Sequence, residues 1–253
     1  MGNWYLGPEV QNHQAGRHSL AIDPAKLVST AQQLADRVHE RFPDRTLNLH
    51  ARAFASLVEQ VTSRGSKAVE PPKWMIAAGW IGGFGAILLV LLPFWLARRL
   101  EQPERLVDSL QTLDSGITIV AGAIAGYFTM RSITTAHSRR CALVALQELR
   151  QVAHVTDMLQ SNKAPAKLLF AAPATPSSRP VEGDPASLAR YLVYCGELHA
   201  LVAKVAILYG LWVPDAAVLS AAGDVEDLCA ASEHRVSMKL LQLDLVIRAG
   251  RSA

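Results

Sequence analysis

From Asp23 onward the apolar positions recur at helical spacing, with Leu27, Ala31, Leu34, Val38 and Phe42 on one face and polar residues between them. Asp23 ahead of Pro24 marks the start: a carboxylate accepts from the first free N–H groups, and proline gives up nothing where no helical hydrogen bond is made. Pro43 and Asp44 interrupt the pattern. A second dry face, Leu47, Ala51, Phe54, Leu57, Val58 and Val61, then runs to Gly65. The spacing predicts an amphipathic helix pair over 23–66.

The polar face then disappears. Residues 74–97, WMIAAGWIGGFGAILLVLLPFWLA, contain no ionisable side chain and are bracketed by Lys73 and by Arg98 and Arg99. Trp74 and Trp95 stand roughly 32 Å apart along a helix, the thickness of a hydrocarbon core with an aromatic ring at each interface. This predicts a first transmembrane helix. A wholly buried helix of a soluble protein is the alternative, disfavoured because such helices rarely run so long without a polar residue.

A second uncharged run, ITIVAGAIAGYFTM, is short but extends to 115–134, about 30 Å of helix, if Arg131 lifts its guanidinium to the headgroups. Asp114 or Ser115 is expected to cap its start, with Thr118 and Thr129 bonding to the preceding turn. Glycine gives these segments a way to associate, since helices in lipid pack through small residues. Gly79xxxGly83 and Gly122xxxGly126 are such small-residue faces, and Gly82 to Gly85 on the first segment and Gly122 to Gly126 on the second fall at similar depths if the chain returns antiparallel. The expectation is a packed two-span hairpin, the same faces being available for a homo-oligomer. The connecting segment 98–114 spaces Leu100, Leu106, Val107, Leu110 and Leu113 as an interfacial helix.

Beyond the second span, Ala142, Ala145, Leu146, Leu149, Val152, Ala153 and Leu159 make an apolar face, so a helix over 135–162 is expected to continue from it. Pro165, Pro173, Pro176, Pro180 and Pro185 then define a proline-rich linker, 163–185. Residues 186–250 read as the C-terminal helices of a bundle. Asp184 and Pro185 start the first of these, and Tyr191 to Val213 is apolar nearly all round. A third span is disfavoured there, because a central lysine such as Lys204 costs about 2.5–3.5 kcal/mol to insert while each Leu, Ile or Val returns only about 0.3–0.6. Gly223 is expected to separate a short helical turn from a final helix carrying Val225, Leu228, Ser232, Val236, Leu240, Leu243 and Ile247.

Charge orients this layout. Arg64, Lys67 and Lys73 precede the first span, and Arg131, Arg139, Arg140 and Arg150 follow the second. The connector holds Arg98, Arg99 and Arg105, so the positive-inside tendency places both termini in the cytoplasm. A positive mean hydropathy and an excess of arginine over lysine suit a bacterial inner membrane. The net charge of +3 is too thinly spread to offer phosphates a basic stripe, which argues against nucleic acid. Cys141, Cys195 and Cys229 include no CxxC pair and fit a reducing compartment. Residues 1–22 lack the features of a secretory signal, and Leu6 stands where a myristoylation start carries Ser or Thr. They are expected to be a disordered arm.

Candidate chemistry is sparse. Cys195 and His199 lie one helical turn apart, as do His154 and Asp157, so a metal site across the bundle is conceivable; Glu197 and Lys204 complete the ionisable set of the apolar helix. No Glu-x-x-His pair, HExxH, phosphate-binding loop or nucleophile elbow accompanies them. The sequence therefore predicts an all-α protein: a two-span transmembrane helical hairpin with a cytosolic helical bundle. Its expected role is that of a non-enzymatic interaction or signalling module at the lipid bilayer, with a cytosolic protein partner and no cofactor. The rivals are an oligomeric pore-forming effector assembled through its glycine-rich spans and a metal-dependent helical-bundle enzyme.

Overall fold

The computed structural model describes residues 22–77, 79–81, 85, 88, 92, 95, 106–161, 163, 165 and 184–251. Among these every regular element is helical: α1 (Pro24–Arg41), α2 (Thr46–Arg64), a 3-10 turn (Gly65–Ala68), α3 (Leu106–Ser161), α4 (Pro185–Trp212) and α5 (Ala216–Arg251). Described residues between 73 and 95 are helical as well. The arm, most of the proline-rich linker, much of the 74–97 segment, and Gly82, Gly83, Arg98 and Arg99 lie outside the described residues. The chain divides into two compact units, one formed by residues 1–65 with 143–253 and the other by 66–142.

The first unit is a helical bundle whose ends follow local chemistry. Asp23 accepts from the Ala25 N–H ahead of Pro24, and Asp184 accepts from the Ser187 N–H ahead of Pro185. Gly65, with φ of 52°, ends α2 in the left-handed region where a side chain would be strained. Leu34, Val38, Leu47, Phe54 and Val58 bury their side chains from the α1–α2 pair. Helix α4 supplies much of the remaining core. Leu188 and Leu192 pack with Val236 and Leu243 of α5, with Ala189, Leu240 and Ile247 at the margin. Phe42 meets Tyr191 and Tyr194 edge-on at centroid distances of 5.6 and 6.2 Å, which docks the α1–α2 corner on α4.

Among the described residues one helix, α4, is long and apolar enough to cross a membrane, and 61% of its most apolar window is buried within the protein. Most of its apolar surface is covered within the bundle, as expected of a central core helix, while Leu211 stays exposed.

Two sequence expectations are corrected. Gly223 does not divide the C-terminal region: α5 runs unbroken, because Val218, Ala222, Val225 and Cys229 bury one continuous stripe across it. Asp215 caps its start, accepting from the Ala217 N–H at 2.9 Å. Nor do Asp114 and Ser115 cap a helix, since α3 already begins at Leu106 and continues through them for 56 residues. The second half of the supposed connector is therefore part of the same helix as 115–134.

Candidate functional site

In the unit formed by 66–142 Val69 and Met75 are buried, but most of the large apolar side chains among the described residues point outward. Trp74, Trp80, Ile81, Leu88, Leu92 and Trp95 from the first helical segment, and Ile124, Tyr127, Phe128 and Ile133 from α3, are all about half exposed or more, Ile81 reaching 73%. Soluble proteins rarely leave a large apolar patch uncovered. Three hydroxyls of α3 are satisfied within their own helix: Thr129 donates to the Ala125 carbonyl at 2.8 Å, and Thr134 and Thr135 donate to the Arg131 carbonyl.

Gly79 meets Met130 of α3. A methyl group at Gly79 would stand 3.0 Å from Met130 Cγ, closer than side chains normally approach, so glycine permits this contact between the start of one segment and the end of the other. Gly85, Gly122 and Gly126 have open space where a side chain would begin. Their faces are unfilled among the described residues.

The bundle carries the second feature, a polar cluster contributed by four helices. From α2, His50 Nε2 lies 2.9 Å from the Thr156 hydroxyl of α3, which itself donates to the Val152 carbonyl. Asp157 of α3 accepts from Arg235 of α5 at 2.9 Å and from the Gln160 amide at 2.6 Å, and Arg235 also donates to the Ser232 hydroxyl. Lys239 donates to the Gln160 carbonyl at 2.6 Å, satisfying an acceptor in the last turn of α3 where a cation is favoured. His199 of α4 completes the group. It is fully buried and neither ring nitrogen has a hydrogen-bond partner.

These surroundings set the protonation states. Burial pushes His199 down to about 4; Asp157 opposes that shift, and Arg235 and His50 reinforce it. Burial also lowers His50, with partial relief from the Val152 carbonyl. Burial raises Asp157, but the hydrogen bonds from Arg235 and Gln160 and the charge of Arg235 outweigh it, leaving the carboxyl below its ordinary value. Lys239 is lowered by burial against the pull of Asp157. At neutral pH the cluster holds neutral imidazoles around a bound carboxylate.

The sequence singled out six residues here, and the fold treats them differently. His199 and Asp157, on separate helices, enter the same cluster. Cys195 is buried beside it, its thiol pushed up to about 12 mainly by burial, and Cys229 reaches about 12 for the same reason. Glu197 forms an ion pair with Arg37 of α1, whose guanidinium also stacks over Tyr194. His154 and Lys204 are exposed. His154 is exposed while Asp157 turns into the cluster, Cys195 and His199 are both buried on α4, and among the described residues no group of three or more metal-ligating side chains converges.

His50, Thr156, Gln160, Arg235 and Lys239 were missed. Their one sequence signal is Thr156 and Gln160, which continue the apolar stripe Ala142, Leu146, Leu149 and Ala153 with polar residues on the buried face.

Compared with known proteins, the chain matches no family model, no curated protein and no solved structure.

Proposed function

We propose that this protein is a non-enzymatic, membrane-anchored interaction or signalling module of a bacterial inner membrane. Residues 74–97 and 115–134 cross lipid as a helical hairpin, and the bundle lies on the cytoplasmic side with both termini. The observation that carries this reading is the outward display of Trp74, Trp80, Ile81, Leu88, Leu92, Trp95, Ile124, Tyr127 and Phe128 on one unit, a surface that lipid would cover and water would not. The polar cluster fits a scaffold rather than a reaction centre. Asp157 and Arg235 pair across helices, Lys239 is bonded to a backbone carbonyl, and the thiols of Cys195 and Cys229 are held protonated and weakly nucleophilic.

Alkaline carbonate washing of membranes from cells expressing the full chain tests the anchor, and reporter fusions at residues 20, 108, 175 and 250 test the topology. The expected result is retention in the pellet, with cytoplasmic signals at 20, 175 and 250 and an external one at 108. Release of the intact chain as an aqueous monomer would overturn the proposal.

A second reading, a self-assembling pore, is favoured by one observation: Gly85, Gly122 and Gly126 leave room for another helix to approach. Dye entry into expressing cells that disappears on replacing Gly122 and Gly126 with leucine would support it. Unchanged activity in that variant would count against it.

A further inference from the structure

We infer that the end of the 66–142 unit where Gly79 meets Met130 is a basic collar that binds the headgroups of anionic phospholipid. The inference rests on the membrane reading above and adds the chemistry of the lipid.

The Gly79–Met130 contact brings together two stretches separate in sequence, the approach to the first helical segment and the part of α3 that follows Met130. Between residues 66 and 80 and between 130 and 142 the chain carries Lys67, Lys73, Arg131, Arg139 and Arg140 against a single carboxylate, Glu70, a formal excess of +4 (five minus one) in a chain whose total is +3. All five cations are exposed. Beside them the aromatic side chains of Trp74, Trp80, Tyr127 and Phe128 are exposed too.

A charged patch alone would suit nucleic acid or an acidic protein equally well. Here the cations border an apolar surface with indole and phenol rings between, the order in which a bilayer offers phosphate, interface and hydrocarbon. Arg139 and Arg140 lie about 14 to 15 Å beyond Met130 along α3, past the hydrocarbon, on side chains long enough to reach back toward headgroups. Arg131 sits a residue past Met130, where a long side chain can lift its guanidinium toward phosphate.

The test uses the full chain in vesicles of phosphatidylcholine with and without phosphatidylglycerol, extracted into mild detergent and assayed for retained lipid. Two variants are compared: the collar variant Lys67→Gln, Lys73→Gln, Arg139→Gln, Arg140→Gln, and a charge-matched control, Lys26→Gln, Arg52→Gln, Arg190→Gln, Lys204→Gln, on exposed positions of the bundle. The native chain and the control are expected to retain phosphatidylglycerol severalfold over phosphatidylcholine, the preference weakening with salt, and the collar variant to lose it while still resisting carbonate extraction. Equal retention of the two lipids by the native chain, or equal loss of preference in both variants, would overturn the collar. Failure of the native chain to resist carbonate would instead overturn the membrane reading beneath it.

Discussion

Leu192 and Ile124 are both aliphatic residues in long helices, yet Leu192 is 0% exposed on α4 while Ile124 is 52% exposed on α3. The difference repeats across the two units. The bundle has a continuous buried core, with single apolar residues such as Leu49, Leu211 and Leu241 left exposed, and most of its oiliest helix is covered; in residues 66–142 Val69 and Met75 are buried, but most of the large apolar side chains described there turn outward. Hydrophobicity of a segment thus does not identify its solvent. Helix α4 passes a length and composition test for a span, but its apolar surface is occupied by α5 and by the corner around Phe42. The outward residues of the other unit remain about half exposed or more. The outward aromatic and aliphatic side chains of 66–142 support the membrane proposal, since the hydrophobic effect favours folding apolar groups together only where water is the alternative.

The largest effects should fall on the inward side. Phe54→Ala is expected to cost the bundle about 3–5 kcal/mol, measured by denaturant unfolding of the detergent-solubilised chain, whereas Ile124→Ala should leave the same transition unmoved. Equal losses would erase the distinction between the units. Ile124→Lys probes the outward side directly. A lysine near mid-span costs about 3 kcal/mol of insertion, so the carbonate-resistant fraction should fall sharply, while lysine at the exposed bundle residue Leu241 should leave it unchanged.

Acid sharpens the contrast further. Because His199 is depressed from 6.5 to about 4 in the fold, the unfolded chain takes up the proton first as pH falls. Its contribution is therefore fully present above about pH 6.5 and is lost progressively toward pH 4, by up to about 3 kcal/mol. His50 shifts in the same direction, and the stabilisation from Asp157 is lost only at still lower pH, below its ordinary value of 3.8. Unfolding followed between pH 7 and 4 should show this slope, made shallower by His199→Leu. That variant should keep near-native stability at pH 7, because no hydrogen bond to the ring is lost. The smallest effect expected is that of Arg37→Ala, whose ion pair with Glu197 is largely solvated; it should cost under about 1 kcal/mol in the same unfolding assay.

The helix starts were legible because capping is local: Asp23 with Pro24, and Asp184 with Pro185, state their meaning within a few residues. Gly223 was misleading for the converse reason. A glycine costs a helix about 1 kcal/mol, less than is gained by burying the stripe from Val218 to Cys229 across it. The polar cluster was half legible. His199 and Asp157 drew notice as ionisable residues, but spacing offers only partners on the same helix, and it paired them with Cys195 and His154. The contacts that matter, His50 with Thr156 and Asp157 with Arg235, join residues about a hundred and nearly eighty positions apart and arise from helix packing. Outward and inward apolar faces look alike in sequence until the neighbours are in place.

Brominated acyl chains quench tryptophan only on contact within the hydrocarbon, and the chain carries suitable reporters on both sides of the divide. Variants retaining Trp80 alone or Trp212 alone, reconstituted in vesicles of brominated lipid, should show strong quenching at Trp80, on the outward unit, and little at Trp212, at the end of α4. Comparable quenching at both would make α4 a membrane segment after all, and quenching at neither would leave the outward apolar surface of residues 66–142 without the lipid assigned to it.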